Sequence, residues 1–537
     1  MSKHVDSLAI VARAPLLGLL ALPLVTSTAY AQQKDSPSVL QKVGAVLNGD
    51  DAAKKASEAS PDDGLGLSPG TPAVASLPGG IGLAYGVKSA DEKDFAFDFH
   101  GFLTMPLRLG LNTRAGVVTT QQHNNVIHAP PVVPDYPDSP DYTSIVPQPY
   151  TQLVFSYGNS IVTGTAMIKA WTATTAESFF DPTLQGGITD AFITFNVPRL
   201  PKNADLAIHV GAFSNRYGTM GEWDEGHYGT PLIGQTNGVG ENIIARLGVG
   251  DVVLTLEHGF QGQLDKAPIG LTSDGWNGFA DPNAGTGLVE HEHLGLTYRR
   301  QLTVGLHHML AWTQDDRADQ ALTPDGTINV VGADVRFSAS HLGHAYIGGS
   351  YTIANYASSV GRILSIMNTQ GGLDLMRDYL GPNSNGNGQI ATVGAEYGLS
   401  LSRLLFYPGD FDGKSRDVIL SVFGILTHVS SADPQYNGAH MYKVGGEGTY
   451  TLLPWLAASL RLDYVSPNSN VSGREFGIVS PRLIFRTDWQ ARNQVVLQYS
   501  RFTYGSDPIV RSGYPAVDNP TLKPDKDMIS LSASMWW

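Results

Sequence analysis

The chain has 537 residues, no cysteine and a formal net charge of -14. Without cysteine there is no disulfide framework, thiolate metal site or cysteine nucleophile, and an acidic chain with no basic run lacks the face that nucleic acid requires. With 60 Gly, 22 Tyr and 19 Phe, 16% charged residues and a mean hydropathy of -0.09, the composition suits a wall that is apolar outside and wet inside, since the two faces cancel in any average.

The N-terminus reads as an export signal. Lys3 and Arg13 supply positive charge, Ala14 to Val25 an apolar run, and Ala29-Tyr30-Ala31 small residues at the minus-three and minus-one positions of a cleavage site. That run is shorter than the roughly 20 residues of a spanning helix, and no later run is long enough. The expected organisation is a signal peptide over residues 1–31, a mature chain from Gln32, and a flexible periplasmic extension over 32–94. The extension has one short helical stretch from Val39 to Leu47. Its Lys54 to Gly82 segment is too rich in Ala, Ser, Pro, Gly and Asp to fold alone.

From Phe95 to Trp537 the pattern changes to alternation. Phe97, Phe99, Leu103, Leu107, Leu109 and Leu111 oppose Asp98, His100, Thr104 and Arg108. Later, Leu456, Ala458, Leu460, Leu462 and Tyr464 oppose Ser459, Arg461 and Asp463, and at the end Ile529, Leu531, Ala533, Met535 and Trp537 oppose Ser530, Ser532 and Ser534. Neighbouring strand side chains point to opposite faces, so each segment has one greasy and one wet side.

About 18 such strands are expected, with 16 possible, each near the 9 to 11 residues that cross a membrane when tilted. Short links at Gly158-Asn159-Ser160, Val249-Gly250-Asp251, Arg299-Arg300-Gln301 and Leu453-Pro454-Trp455 alternate with long ones. The long ones are Asn112 to Tyr150, Ser214 to Gly240, Gln261 to Val289, Tyr356 to Gly388 and Ser506 to Lys526. If the extension is periplasmic, odd-numbered links are external and an even strand count returns the C-terminus to the periplasm. Ser402 to Lys414 breaks the rule: either that turn is elaborated or a strand is miscounted. The expected fold is an all-β transmembrane antiparallel up-and-down β-barrel over 95–537. Secreted soluble propellers, β-helices and sandwiches share the short strands but not the strict alternation of long and short links.

Phe97-Asp98-Phe99-His100-Gly101-Phe102 resembles the opening strand of maltoporin-type sugar porins. The C-terminal strand is similar to the barrel-assembly signal of Gram-negative outer-membrane porins, with Trp537 where Phe is more usual. The resemblance implies a water-filled channel in the outer membrane of a Gram-negative bacterium, passive diffusion of small hydrophilic solutes such as ions or sugars, and no catalysis. It also implies outer-membrane lipid and the barrel-assembly machinery as partners, and a homotrimer. No cofactor is implied.

Alternation places Arg108, Lys169, Arg461, Arg482 and Arg486 inside, with Asp98, Asp190, Asp205, Glu257, Asp334, Glu396, Glu447 and Asp463. Arg461, Arg482 and Arg486 lie on adjacent late strands and barrel closure brings Arg108 near them, so a basic pore-lining wall is expected. Near Arg501 the alternation slips between Tyr499 and Phe502, which predicts a bulge turning Arg501 inward. In porins the third external loop folds into the channel; here it carries Glu222, Asp224 and Glu225, so the resemblance implies a constriction with an acidic loop facing a basic wall. A solvated external loop is the other reading. Trp171, Trp223, Tyr228, Trp276 and Trp312 lie in or beside external loops, where they either stack on sugars or sit at the headgroup level, as Trp455 and Trp489 do beside the short turns. His291 and His293 share a face, but Glu290 and Glu292 point the other way, leaving no third metal ligand there. The first loop, Asp135 to Asp141, reads as stiff and exposed rather than as a Ca²⁺ site. A plugged barrel acting as a surface receptor, and a secreted soluble β-rich protein, remain as alternatives.

Overall fold

A computed structural model describes residues 94–110, 150–173, 183–201, 203–216, 235–264, 286–299, 301–314, 325–339, 342–357, 360, 380–381, 383–406, 416–466, 468–473, 475–486, 494–506 and 527–536. The expected signal peptide, nearly all of the extension, Trp489, Trp537 and the first- and third-loop acids lie outside these residues. Among the described residues there are eighteen strands. The first nine are β1 (Ala96–Gly110), β2 (Tyr150–Gly158), β3 (Val162–Ala173), β4 (Thr183–Asn196), β5 (Ala204–Arg216), β6 (Gln235–Val249), β7 (Val252–Leu264), β8 (Thr286–Tyr298) and β9 (Leu302–Gln314). They continue as β10 (Gly326–Ala339), β11 (Gly343–Asn355), β12 (Gly388–Ser400), β13 (Val418–Ser431), β14 (His440–Leu453), β15 (Leu456–Ser466), β16 (Phe476–Arg486), β17 (Gln494–Tyr504) and β18 (Asp527–Trp536).

Each strand pairs antiparallel with its sequence neighbours, and β18 pairs with β1, Leu531 opposite Leu107, so the sheet closes on itself. Closure satisfies every backbone ladder and leaves no edge, the condition for a sheet to stand in hydrocarbon. The outward residues are apolar along the ring: Phe97 and Phe99 on β1, Val422 on β13, Leu460 and Leu462 on β15, Leu483 on β16, Leu497 on β17 and Leu531 on β18 are all exposed. Their inward neighbours are covered. On β15 the burial alternates without a break from Ala457 to Asp463. A sheet that turns large aliphatic side chains outward all the way round has lipid as its outer solvent, and the fold is a transmembrane β-barrel of the outer-membrane type. No helix among the described residues is long and apolar enough to cross a membrane.

The links sort as their lengths predict. Two residues, Gly250 and Asp251, join β6 to β7, and the positive φ of Gly250 (62°) is the left-handed conformation a two-residue hairpin demands. Asn159 holds the β2–β3 turn by accepting from the amides of Ile161 and Val162 at 3.0 and 2.9 Å. Asp251 also accepts from Arg299 Nε of the neighbouring β8–β9 turn at 2.7 Å. This hydrogen bond raises the Arg299 guanidinium above its ordinary value. Arg299 lies over the Tyr298 ring, 5.2 Å from its centroid. Trp455 on the β14–β15 turn stacks on outward Phe485, forming an aromatic edge at this rim.

Two expectations are resolved in detail. The long link between β12 and β13 is an elaborated turn and not a miscounted strand: it opens with a short helix, α1 (Leu401–Phe406), whose Ser402 amide donates to Asp417 at 3.0 Å. The expected bulge at Arg501 is absent. The β17–β18 register runs unbroken from Gln494 to Arg501, Arg501 stays on the outer face, and there it pairs with Asp527 at 2.7 Å. The apparent slip arises because Phe502 is an apolar residue on the inner face, packed beside Phe476 and Tyr504. The register does shift between β3 and β4, where Met167 pairs with Asp190 and Ile168 with Ile188, skipping Thr189.

Candidate functional site

The inner face carries two polar networks. The first runs across β14 to β17. Ser459, Arg461 and Asp463 alternate with outward leucines on β15, so all three face inward by strand pleat alone. Arg461 is fully buried, and a buried guanidinium needs its charge matched. Its Nε donates to both oxygens of Asp463 at 3.0 and 2.9 Å, and its guanidinium lies 4.6 Å from the centroid of the Phe423 ring. Arg482 on β16 donates from Nε to Gln498 of β17 at 2.7 Å and from Nη1 to Glu447 of β14 at 3.0 Å. Ser459 of the intervening strand donates to the other Glu447 oxygen. Arg486 donates to Gln494 at 3.1 Å, and Gln498 to Ser500 at 2.8 Å.

The second is a set of three separate polar groups on β6 to β12. Asn242 donates to Glu257 at 2.8 Å, and His344 stands 2.7 Å from Glu396. Between them, His293 and His307 are joined through their Nδ1 atoms at 2.9 Å, and His307 Nε2 bonds to Asp334. Glycine makes this cluster fit. A Cβ on Gly305 would lie 2.8 Å from His307 Nε2 and 2.9 Å from Asp334 Oδ2; on Gly259 it would lie 1.9 Å from His291 Cε1. Closer to the short-turn rim, Arg246 pairs with Asp205 at 2.8 Å.

The inner face changes character along the strands. Glu257, His293, His307 and Asp334 lie in the half toward the short turns, while Lys443 and Asp463 lie toward the long links. Toward the long links the face is an apolar cluster including Met309, Val330, Phe476 and Phe502, joined by Val360 and Leu380 of the β11–β12 link and by Tyr436 of the β13–β14 link. The expectation of a wet inner face throughout is corrected: β-strand alternation predicts which residues point inward, but not that the inward ones are polar at every level.

No family model matches the sequence. No curated protein matches it either. Among solved structures the chain is similar to the outer membrane channel DcaP of Acinetobacter baumannii, with 11% identity, TM-score 0.40, and 83% of this chain and 99% of that one covered. It is also similar to Pseudomonas aeruginosa OpdK with vanillate, with 11% identity, TM-score 0.34, and 83% and 99% covered. A third is Wzi of Escherichia coli, an outer membrane protein involved in group 1 capsule assembly and a carbohydrate-binding β-barrel, with 9% identity, TM-score 0.37, and 82% and 84% covered.

Of the residues singled out in the sequence, the structure brings Arg461, Arg482 and Arg486 together on the inner side of β15 and β16. Arg108 is level with Arg482 in the backbone register: Arg108 pairs with Ser530, Ser530 with Gln498 and Gln498 with Arg482. Glu222, Asp224 and Glu225 lie outside the described residues. Sequence reasoning had Glu447 and Asp463 as inward acids but missed that they pair with the arginines. It missed Gln494, Gln498, Asn242 and His307 altogether, although each occupies an inward position of its strand.

Proposed function

We propose that this protein is a porin-type channel of the Gram-negative outer membrane, through which small hydrophilic solutes diffuse passively. The observation that carries the reading is the contrast across one strand thickness: leucine outside, and inside it hydrogen-bonded arginine, glutamate and glutamine at Arg482, Glu447 and Gln498. Ionisable groups turned away from lipid in a closed 18-stranded wall are what a water-lined passage needs. In the ring β16 stands nine strands from β7 in either direction, so Arg482 and Arg486 sit on the wall opposite Glu257. The basic wall of Arg108, Arg461, Arg482 and Arg486 carries its own acids, Asp463 on Arg461 and Glu447 on Arg482, and with Glu257 facing it these charges give the lumen a field that orders polar solutes by charge. Glu222, Asp224 and Glu225 of the third external loop would add acidic charge at the constriction, as the porin resemblance implies.

Recording of the purified full-length protein in a planar bilayer tests this. Discrete conductance steps are expected, and their absence at every voltage overturns the channel reading. One observation favours a second reading, a closed barrel acting as a surface receptor: the apolar inner cluster that Val360, Leu380 and Tyr436 join at the long-link end. It requires a silent bilayer together with saturable binding of a macromolecule to intact cells.

A further inference from the structure

The apolar outer wall carries a cluster of ionisable residues at mid-height on β7 to β9. His258 on β7, Glu292 on β8 and His308 on β9 are each the middle residue of a 13-residue strand. The register sets them side by side, His258 opposite Glu292 and Glu292 opposite His308. All three point outward, as does Glu290 two residues before Glu292. Around them the same face is aliphatic, with Leu256, Leu294 and Leu306 exposed. Two carboxylates at the mid-height of an apolar band are costly unless their charge is matched.

The spacing indicates what matches it. His308 Nδ1 stands 3.5 Å from one oxygen of Glu292 and His258 Nδ1 3.9 Å from the other. Both exceed the 2.7–3.2 Å of an N–H···O hydrogen bond. Donor atoms of His258, Glu290 and Glu292 lie within 4.8 Å of one another. A tetrahedral ion with bonds of about 2.0–2.1 Å holds its ligands about 3.3 Å apart, so the donors of His258, Glu290 and Glu292 need close by about 1.5 Å at most, and His308, set beside Glu292, completes the set by turning about its side-chain torsions.

We infer that His258, Glu290, Glu292 and His308 form a site for a divalent transition-metal ion of the zinc class on the outer wall of the barrel. Two neutral imidazoles and two carboxylates complete a four-coordinate, borderline-soft ligand set. Their net charge of minus two is cancelled by a divalent cation, which leaves the site neutral where it faces hydrocarbon. Three adjacent strands are thereby stapled at mid-height.

The test uses the metal-stripped full-length protein in detergent micelles and Co²⁺ as probe, followed by displacement with Zn²⁺. Expected are one saturating Co²⁺ equivalent per chain, the intense visible bands of a tetrahedral site, and their loss on adding Zn²⁺. Glu292→Gln should lower the affinity at least 100-fold and His308→Asn at least 10-fold. Glu241→Gln, an outward acid on β6 outside the cluster, should leave it unchanged. Octahedral or absent Co²⁺ bands in the wild type overturn the proposal, and so does binding that survives Glu292→Gln. Should that variant not fold, the wild-type spectrum and His308→Asn decide the matter alone.

Discussion

Arg482 of β16 reaches past β15 to place Nη1 3.0 Å from Glu447 Oε2 on β14, while its Nε holds Gln498 on β17. One side chain thus ties three strands, β14, β16 and β17, together across β15 on the inner wall, and it shares its charge with the acid that neutralises it.

Breaking this pair from either side should move ion selectivity in opposite directions. Glu447→Gln leaves the Arg482 charge uncompensated and should shift the reversal potential in a KCl gradient toward anion preference. Arg482→Gln frees the Glu447 carboxylate and should shift it toward cations. Each also removes charge-assisted hydrogen bonds worth about 1.5–3 kcal/mol, read as a lower urea midpoint. Identical shifts from both variants would dissociate the pair from the conduction path.

The His307–Asp334 contact is a different kind of test, because both groups are nearly inaccessible. Asp334→Ala should destabilise the barrel by about 3–5 kcal/mol by stranding a buried polar partner. Heat-modifiability on gels, in which folded barrel migrates faster than unfolded chain, would report this as a lower transition temperature.

Gly259 leaves the space that the His291 ring fills. Gly259→Ala should cost about 1–3 kcal/mol through overpacking. In a His291→Ala background the same substitution should cost far less, a coupling that a double-mutant cycle in urea measures. Additive costs would show that the ring is not what the glycine accommodates.

Depth in the apolar band should set the penalty for a charge on the outer face. Leu460→Arg, at the middle of β15, should cost about 2–4 kcal/mol, whereas Leu453→Arg, at the end of β14 beside the Trp455 turn, should cost at most about 1 kcal/mol. Equal costs, measured by reversible unfolding into lipid vesicles, would contradict the placement of the membrane.

The barrel was legible in the sequence because it rests on a local rule. Ser459, Arg461 and Asp463 face inward for no reason beyond the pleat, and a Gly-Asp pair between two alternating runs is enough to write the β6–β7 turn. The pairings were not legible. Arg461 takes Asp463 on its own strand and Arg482 takes an acid two strands away, a choice made by rotamers and neighbouring space. Tyr499 and Phe502 show a related limit of alternation: polarity does not mark the inner face toward the long links, because that part of the face is apolar. The cluster of His258, Glu290, Glu292 and His308 stayed hidden because its members come from three strands and acquire proximity only through register.

The account depends most on neighbouring residues facing different solvents, and the absence of native cysteine makes this directly measurable. Single cysteines at Ile529, Ser530, Leu531 and Ser532 of β18 should be challenged in proteoliposomes with a membrane-impermeant, water-soluble maleimide. The prediction is labelling at Ser530→Cys and Ser532→Cys, and protection at Ile529→Cys and Leu531→Cys, which a lipid-soluble maleimide should reach instead. Uniform labelling of all four by the aqueous reagent, or the reverse alternation, would contradict a lipid-embedded barrel with a hydrated inner face.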